Sequence, residues 1–200
     1  MLDFIKNSFE KIPLSQEQKE IFNPANCLSM LRIGVIPILF LLLLSPGKIL
    51  SLVIAFFFII AAITDLLDGY IARKYNLVTT LGKFLDPVAD KLIVSAAMIL
   101  MIPIGWIPAW MVVIIVMRDL MVDGLRSVAS AEGIVIQAGV LGKQKTVSLD
   151  IAISALLIHY PLFGADAYAV GMAVMYLALV LALWSGVDYF IKFHRGAFKK

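Results

Sequence analysis

The apolar positions of the chain fall into six long runs, separated by short polar, proline-bearing or glycine-bearing breaks. The runs predict helices over residues 26–45, 49–73, 82–102, 110–131, 143–160 and 165–193. Pro46-Gly47, the polar stretch 74–81, the group Pro103, Gly105 and Pro108, and the segment from Gly133 to Gly142 supply breaks. Proline lacks the donor a helix interior needs, and glycine readily adopts turn conformations. Most runs approach the roughly 20 residues that carry a helix across a bilayer. Residues 1–22 have a different pattern. Leu2, Phe4, Ile5, Phe9 and Ile12 are interrupted by charges, as in a short amphipathic helix lying on a membrane surface. Asp3 and Glu10 break what would otherwise be the apolar core of a signal peptide. The expected fold is therefore all-α. It has an interfacial amphipathic segment over 1–22 and one bundle of six transmembrane helices over 23–200, with no internal repeat or second domain.

Composition strengthens this picture. Hydrophobic residues make up 62% of the 200 positions and charged residues 16%, against about half and a quarter in soluble domains. The mean hydropathy is +0.96. Such a chain is not disordered, is not an ordinary soluble enzyme, and has no expected nucleic-acid partner. The single cysteine, Cys27, excludes an internal disulfide. The net charge of +3 is informative by position. Lys6, Lys11 and Lys19 precede the first run. Lys74 and Lys83 flank the 74–81 link. Lys143 and Lys145 open the fifth run, and Lys192, Arg195, Lys199 and Lys200 lie at the end of the sixth or beyond it. The opposite loops hold only Lys48. Because Lys and Arg collect on the cytoplasmic side, both termini and the 74–81 link are expected there, in a multi-pass protein of a bacterial-type cytoplasmic membrane.

Four carboxylates stand where charge is expensive. Asp65, Asp68, Asp86 and Asp90 lie near the ends of the second and third runs, and a carboxylate at mid-bilayer costs about 3 kcal/mol. At about 100° per residue, Asp65, Asp68, Gly69, Ala72 and Arg73 occupy an arc of roughly 140°, and Gly82, Asp86 and Asp90 one of roughly 80°. The short link predicts antiparallel neighbours with both arcs facing one cavity. Ion pairs with Arg73, Lys83 and Lys91 are one way to offset the charges. Two divalent ions are another, and all-oxygen ligation favours Mg²⁺ or Mn²⁺. Gly69 and Gly82 suit either close approach of a nucleotide or tight helix packing.

The full pattern is Asp65-x-x-Asp68-Gly69-x-x-Ala72-Arg73, eight residues, then Gly82-x-x-x-Asp86-x-x-x-Asp90. It resembles the signature of the CDP-alcohol phosphotransferase family without departure. That resemblance implies transfer of a phosphatidyl group from CDP-diacylglycerol to an alcohol, with CMP leaving. It implies that Asp65, Asp68, Asp86 and Asp90 hold two metal ions and that Asp90 is also the base. It further implies that Asp68, Gly69, Ala72, Arg73 and Gly82 bind the CDP-lipid, and that homodimers are possible. The residue chemistry by itself does not choose which Asp is the base.

Further segments bear on the acceptor. They are Asn26-x-Leu28-Ser29-x-x-Arg32, Arg118-Asp119, Gly124-Leu125-Arg126 and Gly142-Lys143-Gln144-Lys145-Thr146. They resemble the phosphatidylglycerophosphate-forming branch of the family, in which Glu often stands where this chain has Asp119. Arg118, Arg126, Lys143 and Lys145 sit at the cytoplasmic ends of the fourth and fifth runs. A cationic pocket there suits a phosphorylated acceptor such as sn-glycerol 3-phosphate. Snorkelling to lipid headgroups is the competing role. Ser29 and Asn26 read as helix caps. Ala178, Ala182 and Gly186 read as a helix-packing seam. Sister enzymes using inositol phosphate, serine or phosphatidylglycerol remain open at this point. So do a divalent-cation transporter, which explains intramembrane carboxylates but not Gly69, Arg73 and Gly82, and a non-catalytic scaffold.

Overall fold

The computed structural model describes residues 24–74, 80–133, 139–162 and 164–197. The expected interfacial segment over 1–22 lies outside them, and so do the side chains of 65–74. The described chain is helical: α1 (Pro24–Leu43), α2 (Lys48–Lys74), α3 (Thr80–Met101), α4 (Ala109–Ala131), α5 (Val140–Ile158) and α6 (Ala167–Ala197). Among the described residues there is no strand beyond one isolated bridge, Leu162 to Ala165. The helices coincide with the six apolar runs to within a few residues.

Local chemistry explains the ends. Gly105 and Gly133 adopt φ of +74° and +71°, the left-handed region, in the turns before and after α4. Asp166 caps α6, its carboxylate accepting from the backbone N–H groups of Tyr168 at 3.0 Å and Ala169 at 3.3 Å. Pro37 and Pro87 lie inside α1 and α3, as proline does in membrane helices where neighbours compensate the missing bond. The expected capping role of Ser29 is corrected. Helix α1 begins at Pro24, where a missing N–H is harmless, so Ser29 falls in the second turn.

The apolar core fills one half of the bundle. Ile54 and Phe58 of α2, Met98 and Met101 of α3, Met111 and Ile115 of α4, Ile153 and Leu157 of α5, and Met175 of α6 are all essentially inaccessible. These positions are the early turns of α2, α4 and α6 and the late turns of α3 and α5, which coincide in an up-and-down arrangement. At that end His159, the C-cap of α5, stacks on Trp106 with ring centroids 4.1 Å apart. Helix α6 packs extensively on α5 and also on α4, while α1 packs on α2 and α3. Among the described residues α2 makes few contacts with α3; the side chains of 65–74, where the expected antiparallel pair would meet, lie outside them.

The outward face is apolar as well. On α6, Leu177, Val180, Trp184, Val187 and Phe190 are exposed, while Ala178, Ala182, Ser185 and Tyr189 face inward. Among the described residues one helix, α6 over Ala167–Arg195, is long and apolar enough to cross a membrane. Shorter apolar stretches run over Ser29–Leu43 and Lys48–Thr64.

Helices α5 and α6 approach closely at Gly171, where an added Cβ would lie 2.9 Å from the backbone nitrogen of Leu156. Gly171→Ala is therefore expected to force the helices apart and to destabilise by about 1–3 kcal/mol, as overpacking does. A lowered thermal midpoint in detergent checks this; an unchanged midpoint contradicts the close crossing.

Candidate active site

The other half of the bundle opens into a cavity of about 240 Å³ between α3, α4, α5 and α6. Each helix supplies polar side chains at helical spacing. From α3 come Asp90 and Lys91; from α4, Arg118, Asp119, Asp123 and Arg126; from the start of α5, Lys143, Lys145, Thr146 and Asp150; from α6, Ser185, Asp188 and Tyr189. Arg118, Asp119, Val122 and Arg126 recur every one to four residues, so one stripe of α4 lines the cavity.

Five cations line the space (Lys91, Arg118, Arg126, Lys143 and Lys145), and so do five carboxylates (Asp90, Asp119, Asp123, Asp150 and Asp188). Among the described residues the cavity is thus charge-balanced rather than simply cationic. Lys91 forms an ion pair with Asp123 across from α3 to α4, which directs this lysine to α4. Asp119 joins Arg118 at 2.8 Å and Lys145 at 2.6 Å. Arg118 also donates from Nε to the carbonyl of Ala182 at 2.9 Å and from Nη2 to Ser185 Oγ at 2.7 Å. Arg126 lies over the Tyr189 ring, 5.6 Å from its centroid, and donates to its hydroxyl at 3.2 Å. Among the described residues neither Arg126 nor Lys143 has a carboxylate within ion-pair distance. Both are exposed, whereas Lys145 is buried.

The sequence-expected residues distribute as follows. Asp90, Arg118, Arg126, Lys143 and Lys145 meet in the one cavity. Asp86 stands one turn before Asp90 on α3 and accepts a hydrogen bond from Ser29 Oγ of α1. Ser29 and nearby Arg32 are both buried. Gly82 is buried in the first turn of α3. Asp65, Asp68, Gly69, Ala72 and Arg73 lie on the last turns of α2, and their side chains are outside the described set. Among the described residues no three His, Cys, Asp or Glu side chains gather as a metal site, and two of the four expected ligands are not in that set.

Sequence reading missed the contribution of α6. Ser185, Asp188 and Tyr189 line the cavity, and Asp188 also binds Lys192 one turn on, at 2.6 Å. A signal existed, since Asp188 is the only acidic residue of α6. Ala178 and Ala182 are indeed packing residues, fully buried. Gly186 has a further effect. A Cβ there would lie 3.3 Å from Cγ and 3.4 Å from Nε of Arg118, so its missing side chain leaves room for that arginine.

The chain belongs to the CDP-alcohol phosphatidyltransferase family, whose sequence model matches residues 22–184. The chain is therefore a transferase. Relatives include a CDP-diacylglycerol–glycerol-3-phosphate 3-phosphatidyltransferase of Bacillus subtilis, 42% identical over 184 residues, covering 86% of this chain and 95% of that one. A Rickettsia bellii protein of the same name is 34% identical, covering 84% and 93%. A probable phosphatidylglycerophosphate synthase of Mycobacterium tuberculosis is 38% identical, covering 84% and 80%.

Because Gly186 abuts Arg118, Gly186→Val is expected to displace the guanidinium and lower transferase activity on the order of ten- to hundredfold, as small misplacements do. The change leaves the α5–α6 crossing at Gly171 untouched. Activity equal to the original chain, measured as CMP release, would show that Arg118 tolerates displacement.

Proposed function

We propose that this protein transfers the phosphatidyl group of CDP-diacylglycerol to sn-glycerol 3-phosphate, giving phosphatidylglycerophosphate and CMP. The observation that carries it is the single cavity holding Asp90 together with Arg118, Arg126, Lys143 and Lys145. A base for a hydroxyl and cations for a phosphate are the two things a phosphorylated alcohol acceptor needs. The names of the relatives point to the same donor and acceptor.

The apolar exterior supports a bundle of six spans in a bacterial-type cytoplasmic membrane. In this reading the cavity and both termini face the cytoplasm, and residues 1–22 lie in the interface. At about 240 Å³ the cavity falls below the roughly 300 Å³ of typical ligand pockets. It suits a small polar acceptor, and the acyl chains of the donor stay in the bilayer.

Asp65, Asp68, Asp86 and Asp90 would hold two divalent cations. A purely carboxylate donor set, with Asp86 and Asp90 one turn apart on α3, fits the hard ions Mg²⁺ or Mn²⁺. Such ions would supply charge neutralisation at the pyrophosphate and stabilisation of the departing CMP phosphate. Asp68, Gly69, Ala72, Arg73 and Gly82 would receive the cytidine diphosphate head. Arg118, Arg126, Lys143 and Lys145 would hold the acceptor phosphate, which aims the free hydroxyl at the pyrophosphate. Asp90 takes the hydroxyl proton as the oxygen bonds to the lipid-side phosphorus. The bond from that phosphorus to the CMP oxygen breaks, and CMP leaves with the electron pair.

Purified protein with CDP-diacylglycerol and Mg²⁺ is expected to release CMP only when glycerol 3-phosphate is added. Release with serine, inositol phosphate or phosphatidylglycerol instead would overturn the acceptor assignment. Asp90→Asn is expected to slow turnover roughly 10²–10⁴-fold, the usual contribution of a general base, with the fold retained by circular dichroism. Full turnover in that variant would exclude Asp90 as the base.

A further inference from the structure

We infer that Asp119 is a positioning residue for the acceptor phosphate: it sets the spacing of Arg118 and Lys145 before any substrate arrives. This rests on the proposed acceptor and extends it to a residue that would not itself touch the substrate.

The geometry carries the inference. One carboxylate oxygen of Asp119 takes Arg118 Nη1 at 2.8 Å, and the other takes Lys145 Nζ at 2.6 Å. The two cations come from different helices, α4 and α5. Their side chains are 12% and 7% exposed and that of Asp119 is 21% exposed, so little water screens their mutual repulsion. A carboxylate shared between them offsets it. Adjacent residues on a helix normally point about 100° apart, yet Asp119 and Arg118 meet because both turn toward the cavity.

The bond count shows what is left for a ligand. Arg118 has five N–H groups, and three are used, by Ala182, Asp119 and Ser185. Lys145 has three, and one goes to Asp119. Among the described residues two N–H groups on each cation stay available. They are held in fixed relation by the carboxylate and by two anchors on α6. A phosphate monoester bearing two negative charges matches this pair. Preorganisation of this kind lowers the ordering cost of binding. It acts on the acceptor alone, because the CDP-lipid residues lie on α2 and at the start of α3.

The opposite effect is conceivable on charge grounds. A carboxylate beside a phosphate site repels the phosphate, and its removal would then tighten binding. Steady-state kinetics of the full chain in detergent micelles separate the two. Asp119→Asn is expected to raise the KM for glycerol 3-phosphate about ten- to hundredfold, the range for losing a hydrogen bond to a charged group. The KM for CDP-diacylglycerol should stay within about twofold, even though loss of the shared anion lowers the thermal midpoint. Asp119→Glu, which keeps the charge on a longer arm, is expected to fall between Asn and the original residue. A lowered or unchanged KM for glycerol 3-phosphate in Asp119→Asn, or a parallel rise in both KM values, overturns the inference. If Asp119→Asn does not fold, Asp119→Glu carries the test: a raised KM for the acceptor alone supports the inference, and any other pattern overturns it. Failure of the unmodified chain to use glycerol 3-phosphate would sink the functional reading instead, so the two failures are distinguishable.

Discussion

A cation held in an apolar bundle needs an anion within reach, and the paired charges around Arg118 are the constraint on which the cavity depends. Lone burial of a charge costs several kcal/mol. Arg118 is therefore tied to a carboxylate on its own helix, a carbonyl and a hydroxyl on α6, and through Asp119 to a lysine on α5. These links join three helices at one point. They also explain why the cavity is charge-balanced although the chain carries a net +3. Cations that must wait for an anionic substrate are stabilised in its absence by carboxylates from the same site.

This division of labour follows from how the helices are built. The half of the bundle holding Phe58, Met98, Met111 and Leu157 is packed tightly enough to exclude solvent and fixes the helix axes. The polar half can then hold an open cavity without losing its shape. The Gly171 crossing sets the distance between α5 and α6, and about four turns further along α6, Ser185 and Gly186 meet Arg118. A rigid apolar end thus positions a polar end, much as scaffold elements position functional groups in other enzymes.

Much of this was legible in the sequence because strong signals are local. The six helices were readable from apolar runs bounded by Pro46-Gly47, Gly105 and Gly133. The four Asp residues and the four cations stood out because charge is costly in such a chain. What was not legible depended on long-range contact. Ser29 looked like a cap because its hydroxyl lies near a helix start, but its partner Asp86 is 57 residues away. Ser185 and Tyr189 sit at the same three- and four-residue spacing as an ordinary packing seam. Only the contacts with Arg118 and Arg126, more than 60 residues distant, distinguish them.

The pairing pattern divides the four cations proposed to hold the acceptor into two kinds. Arg118 and Lys145 are largely enclosed and bound to Asp119, so their positions are set by the fold. Arg126 and Lys143 are exposed, and Arg126 rests on the Tyr189 ring rather than on a carboxylate. An exposed, unneutralised cation attracts an anion from solution over about a Debye length, roughly 8–10 Å, but orients it poorly. A buried, preset pair orients it well but reaches little beyond contact. Capture and orientation of a phosphorylated acceptor make different physical demands, and the burial of these residues separates the groups suited to each.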